Sequence, residues 1–234
     1  MIMKPIVSIL FFLVFAGFQP HGLLPGFNCF FPMVYAHIFI SGDDNSSFLT
    51  LLERIRVEAL LINNTLYTNT TASQQHMLQL LDRIGDIGDS ENEFNIKSLQ
   101  FKNSTVNALL LANLVDEVLT NYGGSYGILP HIMLNMSYIA PDLYDKITKS
   151  SSIVDTNKYQ TSKEYAKRAN DLFDISLRAF GNKDNGHTMN KLGEGLADLK
   201  YSIYNKTAPI KVMEIVHMKI HPNLQTTFDL KLKQ

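Results

Sequence analysis

The sequence predicts an all-α fold: an antiparallel helical bundle built from two helical hairpins with a central helix between them. Three observations predict it. Apolar residues recur at spacings of three and four through successive segments, the signature of one buried helix face. Short polar, glycine or proline turns separate the segments within each hairpin, and helices joined that way pack as antiparallel neighbours. A chain of 234 residues that is 45% apolar and 18% charged can also bury one sizeable core.

The first hairpin spans about 47–88. Asp44, Asn45, Ser46 or Ser47 can cap a helix whose stripe is Phe48, Leu51, Leu52, Ile55, Ala59 and Ile62. It closes near Asn63-Asn64, and Thr68 to Thr71 form the turn. A second helix starts near Ser73, carries Met77, Leu80, Leu81 and Ile84, and closes near Gly85 or Gly88. Ser90 to Lys102 show partial alternation through Phe94, Ile96, Leu99 and Phe101, as in a short strand or an extended crossover.

The central helix runs from Thr105 to Asn121, capped by Asn103 or Ser104 and stopped by Gly123-Gly124. Residues 122–156 are rich in glycine, proline and serine, and read as a long surface loop with room for one short helix.

The second hairpin spans about 157–204. Its first helix carries Tyr165, Ala169, Leu172, Phe173, Ser176 and Phe180, and Gly181-Asn182 closes it. Its second runs from Gly186 to Tyr204 with Met189, Leu192, Leu196, Leu199 and Ile203. Gly193-Glu194-Gly195 inside that helix reads as a close helix contact rather than a ligand cradle. Pro209 suits a first helical turn, so Ile210 to His217 form a short helix, although Ile215 and Val216 also permit a strand. Pro222 biases His221 away from helical geometry. The tail from Thr226 to Lys233 alternates Phe228, Leu230 and Leu232 with polar residues, which allows a short extended C-terminal element.

The N-terminus speaks to compartment. Lys4 precedes an apolar run from Pro5 to Phe18, the arrangement of an export signal. At 14 residues the run is shorter than the roughly 20 that a membrane span needs. Cleavage fits after Ala16 or after Ala36, and without cleavage the segment is an N-terminal anchor. Residues 1–36 are thus a signal or anchor, and 37–234 a single helical domain. Asn-x-Ser/Thr occurs at Asn45, Asn63, Asn69, Asn103, Asn135 and Asn205. With 19 Asn and 30 Ser+Thr, chance supplies roughly 2.4 such sites, so the excess favours a glycosylated, exported surface.

The remaining composition excludes several classes. A net charge of −1 gives no electrostatic case for nucleic acid. The single cysteine, Cys29, rules out an intrachain disulfide, a cysteine zinc site and a redox pair. A nucleophile elbow, a phosphate-binding loop and an HExxH zinc motif are all missing. Asp116 and Glu117 are adjacent, do not face each other on a helix, and read as a solvated edge.

Several segments together resemble a group of exported helical proteins from ammonia-oxidising archaea. They are Ala36-His37-Ile38-Phe39, Ser47-Phe48-Leu49, Gln75-His76, Asn103-Ser104-Thr105-Val106, Leu114-Val115-Asp116-Glu117 and Tyr122-Gly123. The most specific is Ile215-Val216-His217-Met218-Lys219-Ile220-His221-Pro222-Asn223-Leu224-Gln225. The resemblance implies an extracytoplasmic compartment and a helical fold, and implies no chemistry.

Histidines are the candidates for chemistry. His217 and His221 lie four apart, with Met213 four before, so a continuous helix puts all three on one face. Two imidazoles and a thioether suit copper, and the imidazoles suit zinc. Cleavage after Ala36 would free His37 to chelate copper through its α-amino nitrogen and ring nitrogen, with His76, His217 or His221 as the further ligand. The first expectation is an exported, non-enzymatic bundle with a binding or structural role toward a protein or cell-surface partner. Copper or zinc binding or delivery is the alternative. Contact with a membrane would run only through an uncleaved N-terminal segment.

Overall fold

The chain folds into helices α1 (Asp44–Thr65), α2 (Thr70–Ser90), α3 (Ser104–Ser125), α4 (Pro130–Leu134), α5 (Thr156–Leu172), α6 (Gly186–Tyr204), α7 (Pro209–Ile215) and α8 (His221–Phe228). A π-helical turn, Phe173–Leu177, and a 3-10 turn, Arg178–Phe180, prolong α5. A second π turn, Val216–Ile220, joins α7 to α8. The computed structural model describes residues 44–90, 104–134, 152–180 and 185–230. No strand occurs among them, so the all-α expectation is met.

The core is organised around α3. Fourteen of its 22 residues are buried, distributed around the whole helix, as expected for a helix that is apolar on every side. Its most extensive partner is α5, and α1, α4, α7 and α8 also pack on it. The predicted stripe of α6 is buried throughout, from Met189 to Ile203. The α1 helix packs on α3 and α5, whereas α2 rests chiefly on α1.

Several local expectations are corrected. The second helix begins at Thr70, because the Asn69 side-chain oxygen accepts from the Ala72 N–H at 3.0 Å and supplies the cap. It runs past Gly85 to Ser90, and no neighbour lies near Gly85 to exploit its missing side chain. It is also turned on its axis. Ala72, Ser73 and His76 face inward, while Met77, Leu78, Leu81 and Ile84 are exposed. Of the expected stripe only Leu80, four residues after His76, is partly buried, so the inward face is offset to one side of the apolar pattern.

Gly123-Gly124 do not stop α3. Gly123 instead admits α4, since a Cβ there would sit 2.2 Å from Met133 Cγ. The chain turns at Gly127, whose φ of +76° is the left-handed conformation that glycine adopts cheaply. Part of the expected surface loop is therefore structured. Tyr122 to Ser125 belong to α3, and α4 buries Ile132 and Met133. Residues 135–151 lie outside the described residues, as do 91–103, where the short strand or crossover was expected.

The C-terminal segment is helical through Phe228. Asp229 then takes a left-handed conformation (φ 50°) and folds Leu230 back into the core, in place of the expected extended element. Pro222 does not divert His221, which keeps helical angles of φ −58° and ψ −46°. Pro222 has no N–H to give, and in a regular helix its ring would crowd the carbonyl four residues back, that of Met218. The wider π turn just before it opens that register, with the His221 N–H bonded to the Val216 carbonyl.

Gly193 and Gly195 are close-contact positions, as the sequence predicts. A Cβ on Gly193 would lie 2.9 Å from the Phe173 ring, and one on Gly195 would lie 3.1 Å from Ile220 Cγ1. Phe173 opens the first π turn and Ile220 closes the second, so α6 seats both wide turns.

Candidate functional site

The structure separates the candidate histidines into two buried polar clusters. In the first, His76 of α2 is 1% exposed and faces Glu58 of α1, itself 5% exposed. His76 Nδ1 lies 2.8 Å from Glu58 Oε2. Gln79, with its amide nitrogen turned toward the carboxylate, donates to both Glu58 oxygens at 3.0 Å. His76 Nε2 is buried and makes no hydrogen bond.

That cluster belongs to a longer polar seam under the first hairpin. Arg168 of α5 grips Glu53 of α1 through two parallel hydrogen bonds of 2.7 and 2.8 Å. Donating to the Glu53 carboxylate holds the Arg168 guanidinium above its ordinary pKa. Arg54 reaches Glu117 of α3 at 2.5 Å, and Asn113 donates to Thr50 at 2.9 Å. Burial raises the Tyr165 phenol strongly, and the Glu117 and Glu58 carboxylates add to the effect.

The second cluster lies at the second π turn. His217 Nε2 is 3.1 Å from the Met133 carbonyl oxygen, which can only accept, so Nε2 carries the proton. His221 Nε2 is 3.3 Å from Asp116 Oδ1 of α3. The two rings meet edge to face with centroids 5.3 Å apart. Met213 is buried in the apolar core one turn earlier.

The structure therefore brings His217 and His221 together, as their spacing requires. His76 instead pairs with Glu58. His37 lies outside the described residues. Among the described residues, no three His, Cys, Asp or Glu side chains are grouped to hold one ion. Asp116 and Glu117 are not a solvated edge. They part to opposite neighbours, Asp116 to His221 and Glu117 to Arg54. No local pattern signals these partners, because Glu58 and His76 are 18 residues apart and Arg54 and Glu117 are 63 apart.

Of the predicted glycan acceptors, Asn63, Asn69 and Asn205 are exposed at helix ends or turns. The Asn205 amide donates to the Tyr201 carbonyl at 2.9 Å. Asn45 falls in the first turn of α1, and Asn103 and Asn135 lie outside the described residues. No helix among the described residues is long and apolar enough to cross a membrane. No protein-family model, curated protein or solved structure matches the chain.

Proposed function

We propose that this chain is an extracytoplasmic, non-enzymatic helical-bundle protein with a binding or structural role. The observation that carries the reading is the placement of the acceptor asparagines. Asn63, Asn69 and Asn205 are all solvent-exposed, where a bulky glycan meets no core residue. The signal-like segment from Lys4 to Phe18 supports the same compartment. A non-catalytic role is supported by the histidines, since His76, His217 and His221 are each no more than 2% exposed.

Intact mass and N-terminal sequencing of the protein from its native host test this reading. The expected result is an N-terminus after Ala16 or Ala36, or glycan mass on an uncleaved chain. Glycan mass is expected to fall when Asn63, Asn69 and Asn205 are each replaced by Gln. A chain that begins at Met1 and carries no added mass would overturn it.

A further inference from the structure

A cavity of about 470 Å³ opens between the start of α5 and the turn that follows α6. Tyr126 and Tyr159 supply its aromatic wall, Ser152, Thr156 and Gln160 its polar groups, and Lys206 its charge. Among the described residues, the lining contains this one cation and no carboxylate.

The tyrosine hydroxyls are engaged with the main chain. Tyr159 donates to the Ile203 carbonyl at 3.0 Å and Tyr126 to the Lys206 carbonyl at 3.4 Å. These two residues therefore offer the cavity ring surface. The side chains of Ser152, Thr156 and Gln160 make no hydrogen bond within the described protein, so their donors and acceptors remain open to a ligand. The Lys206 ammonium has no carboxylate partner and stands 5.7 Å from the centre of the Tyr159 ring. Lys163 stands 5.8 Å from the same ring and adds positive field.

The backbone of Lys206 is unusual. Its φ is 55°, a left-handed conformation that glycine adopts with less strain. The turn is clamped by the Tyr122 hydroxyl on the Thr207 carbonyl at 2.5 Å and by the Thr207 N–H on the Ser202 carbonyl at 2.9 Å. Lys206 thereby closes α6 as a left-handed cap, with its N–H and that of Thr207 bonded back to the Ile203 and Ser202 carbonyls. The cap and the Tyr122 clamp together set the Lys206 backbone beside the cavity.

We propose that this cavity is a binding site for a small organic anion. Its carboxylate or phosphate group would meet the Lys206 ammonium, and its apolar body would lie against the Tyr126 and Tyr159 rings. Ser152, Thr156 and Gln160 would bond its polar substituents. Convergent polar groups in an aromatic-walled cavity are the usual make-up of a small-molecule site. The proposal does not depend on where the protein resides.

Calorimetry and amide NMR on the unglycosylated full chain test it, with benzoate, inorganic phosphate and neutral benzyl alcohol as probes. Benzoate is expected to bind saturably and shift the amides of Tyr126, Tyr159 and Lys206, and benzyl alcohol is not. Tighter binding of phosphate than of benzoate at the same amides also supports the anion site and assigns it to phosphate esters. Lys206→Gly is expected to weaken the anion by about tenfold or more, the worth of one charge-assisted contact. The same substitution is expected to raise the melting temperature by relieving the left-handed lysine, which separates loss of binding from loss of fold. Lys206→Gln should weaken binding to a similar extent. Saturable binding of neither anion would overturn the proposal. So would equal binding of benzyl alcohol, or unchanged anion affinity in Lys206→Gly.

Discussion

The bundle holds its two hairpins by different physics. The α5–α6 hairpin meets α3, α7 and α8 through apolar side chains, with Leu114, Val118, Leu192, Leu196, Leu199 and Ile220 all fully buried. The α1–α2 hairpin also buries Val57 and Leu61, but adds polar contacts, Glu53–Arg168 to α5 and Arg54–Glu117 and Thr50–Asn113 to α3, with Glu58–His76 enclosed between its own two helices. Apolar burial is strong and tolerant of direction. Ion pairs return little net stability after desolvation, yet losing one partner is costly and their geometry admits few orientations. The apolar contacts of α3, α5 and α6 thus supply most of the stability, while the polar seam sets where the first hairpin sits.

Four outcomes would break or sharpen this contrast. The largest effect is expected in the apolar half. Leu196→Ala should cost about 2–5 kcal/mol in chemical denaturation, and a loss below about 1 kcal/mol would deny α6 its place in the core. At the seam, Arg168→Ala takes both hydrogen bonds from the Glu53 carboxylate, leaving it only the Arg56 guanidinium at 3.8 Å, and should cost about 1–3 kcal/mol. Replacing both Glu53 and Arg168 by Met should recover much of that loss. A double variant as unstable as the single one would show that the pair itself stabilises the fold.

Alkaline pH probes both halves at once. Burial raises the phenols of Tyr122 and Tyr165 in the folded chain, so the folded state holds those protons more tightly than the unfolded state. Their contribution is complete below the unfolded value near 10 and is lost as pH rises above it, by about 1.4 kcal/mol per pH unit for each tyrosine. Tyr165→Phe should flatten that decline, and an unchanged slope between pH 10 and 11 would refute the assignment. The smallest effect belongs to an exposed pair. Asp174→Asn removes the contact to Arg178 and should change stability by no more than about 0.5 kcal/mol.

The fold was legible where one physical rule dominated. The α6 stripe is periodic and apolar, and all of it is buried. The all-α class followed from such stripes. Legibility failed where two rules competed. On α2, the apolar residues Met77, Leu81 and Ile84 lost the inward face to His76, because Glu58 supplies a buried polar partner from another helix. At Pro222, local steric preference yielded to a π turn that five residues make together. Gly123 has the look of a stop signal in sequence, yet its role is to admit Met133. The His217–His221 contact was readable from spacing, but their partners Met133 and Asp116 are tertiary facts. The cavity was not readable either. It joins Tyr126, Tyr159 and Lys206 from three separate stretches of chain.

The two glycines of α6 couple the lengths of its neighbours. Positions two apart on a helix point about 200° away from each other, so Gly193 and Gly195 serve opposite sides of one rod. Each receives a turn that holds one residue more than an ordinary helical turn. Removing one residue from Val216–Ile220 would rotate everything after it by roughly 100° about the helix axis and carry Ile220 away from Gly195. A larger residue at Gly195 would in turn push Lys219 and Ile220 off their seat. Chain length in the wide turns and side-chain size on α6 are thus one shared dimension of the protein, and neither can change without the other.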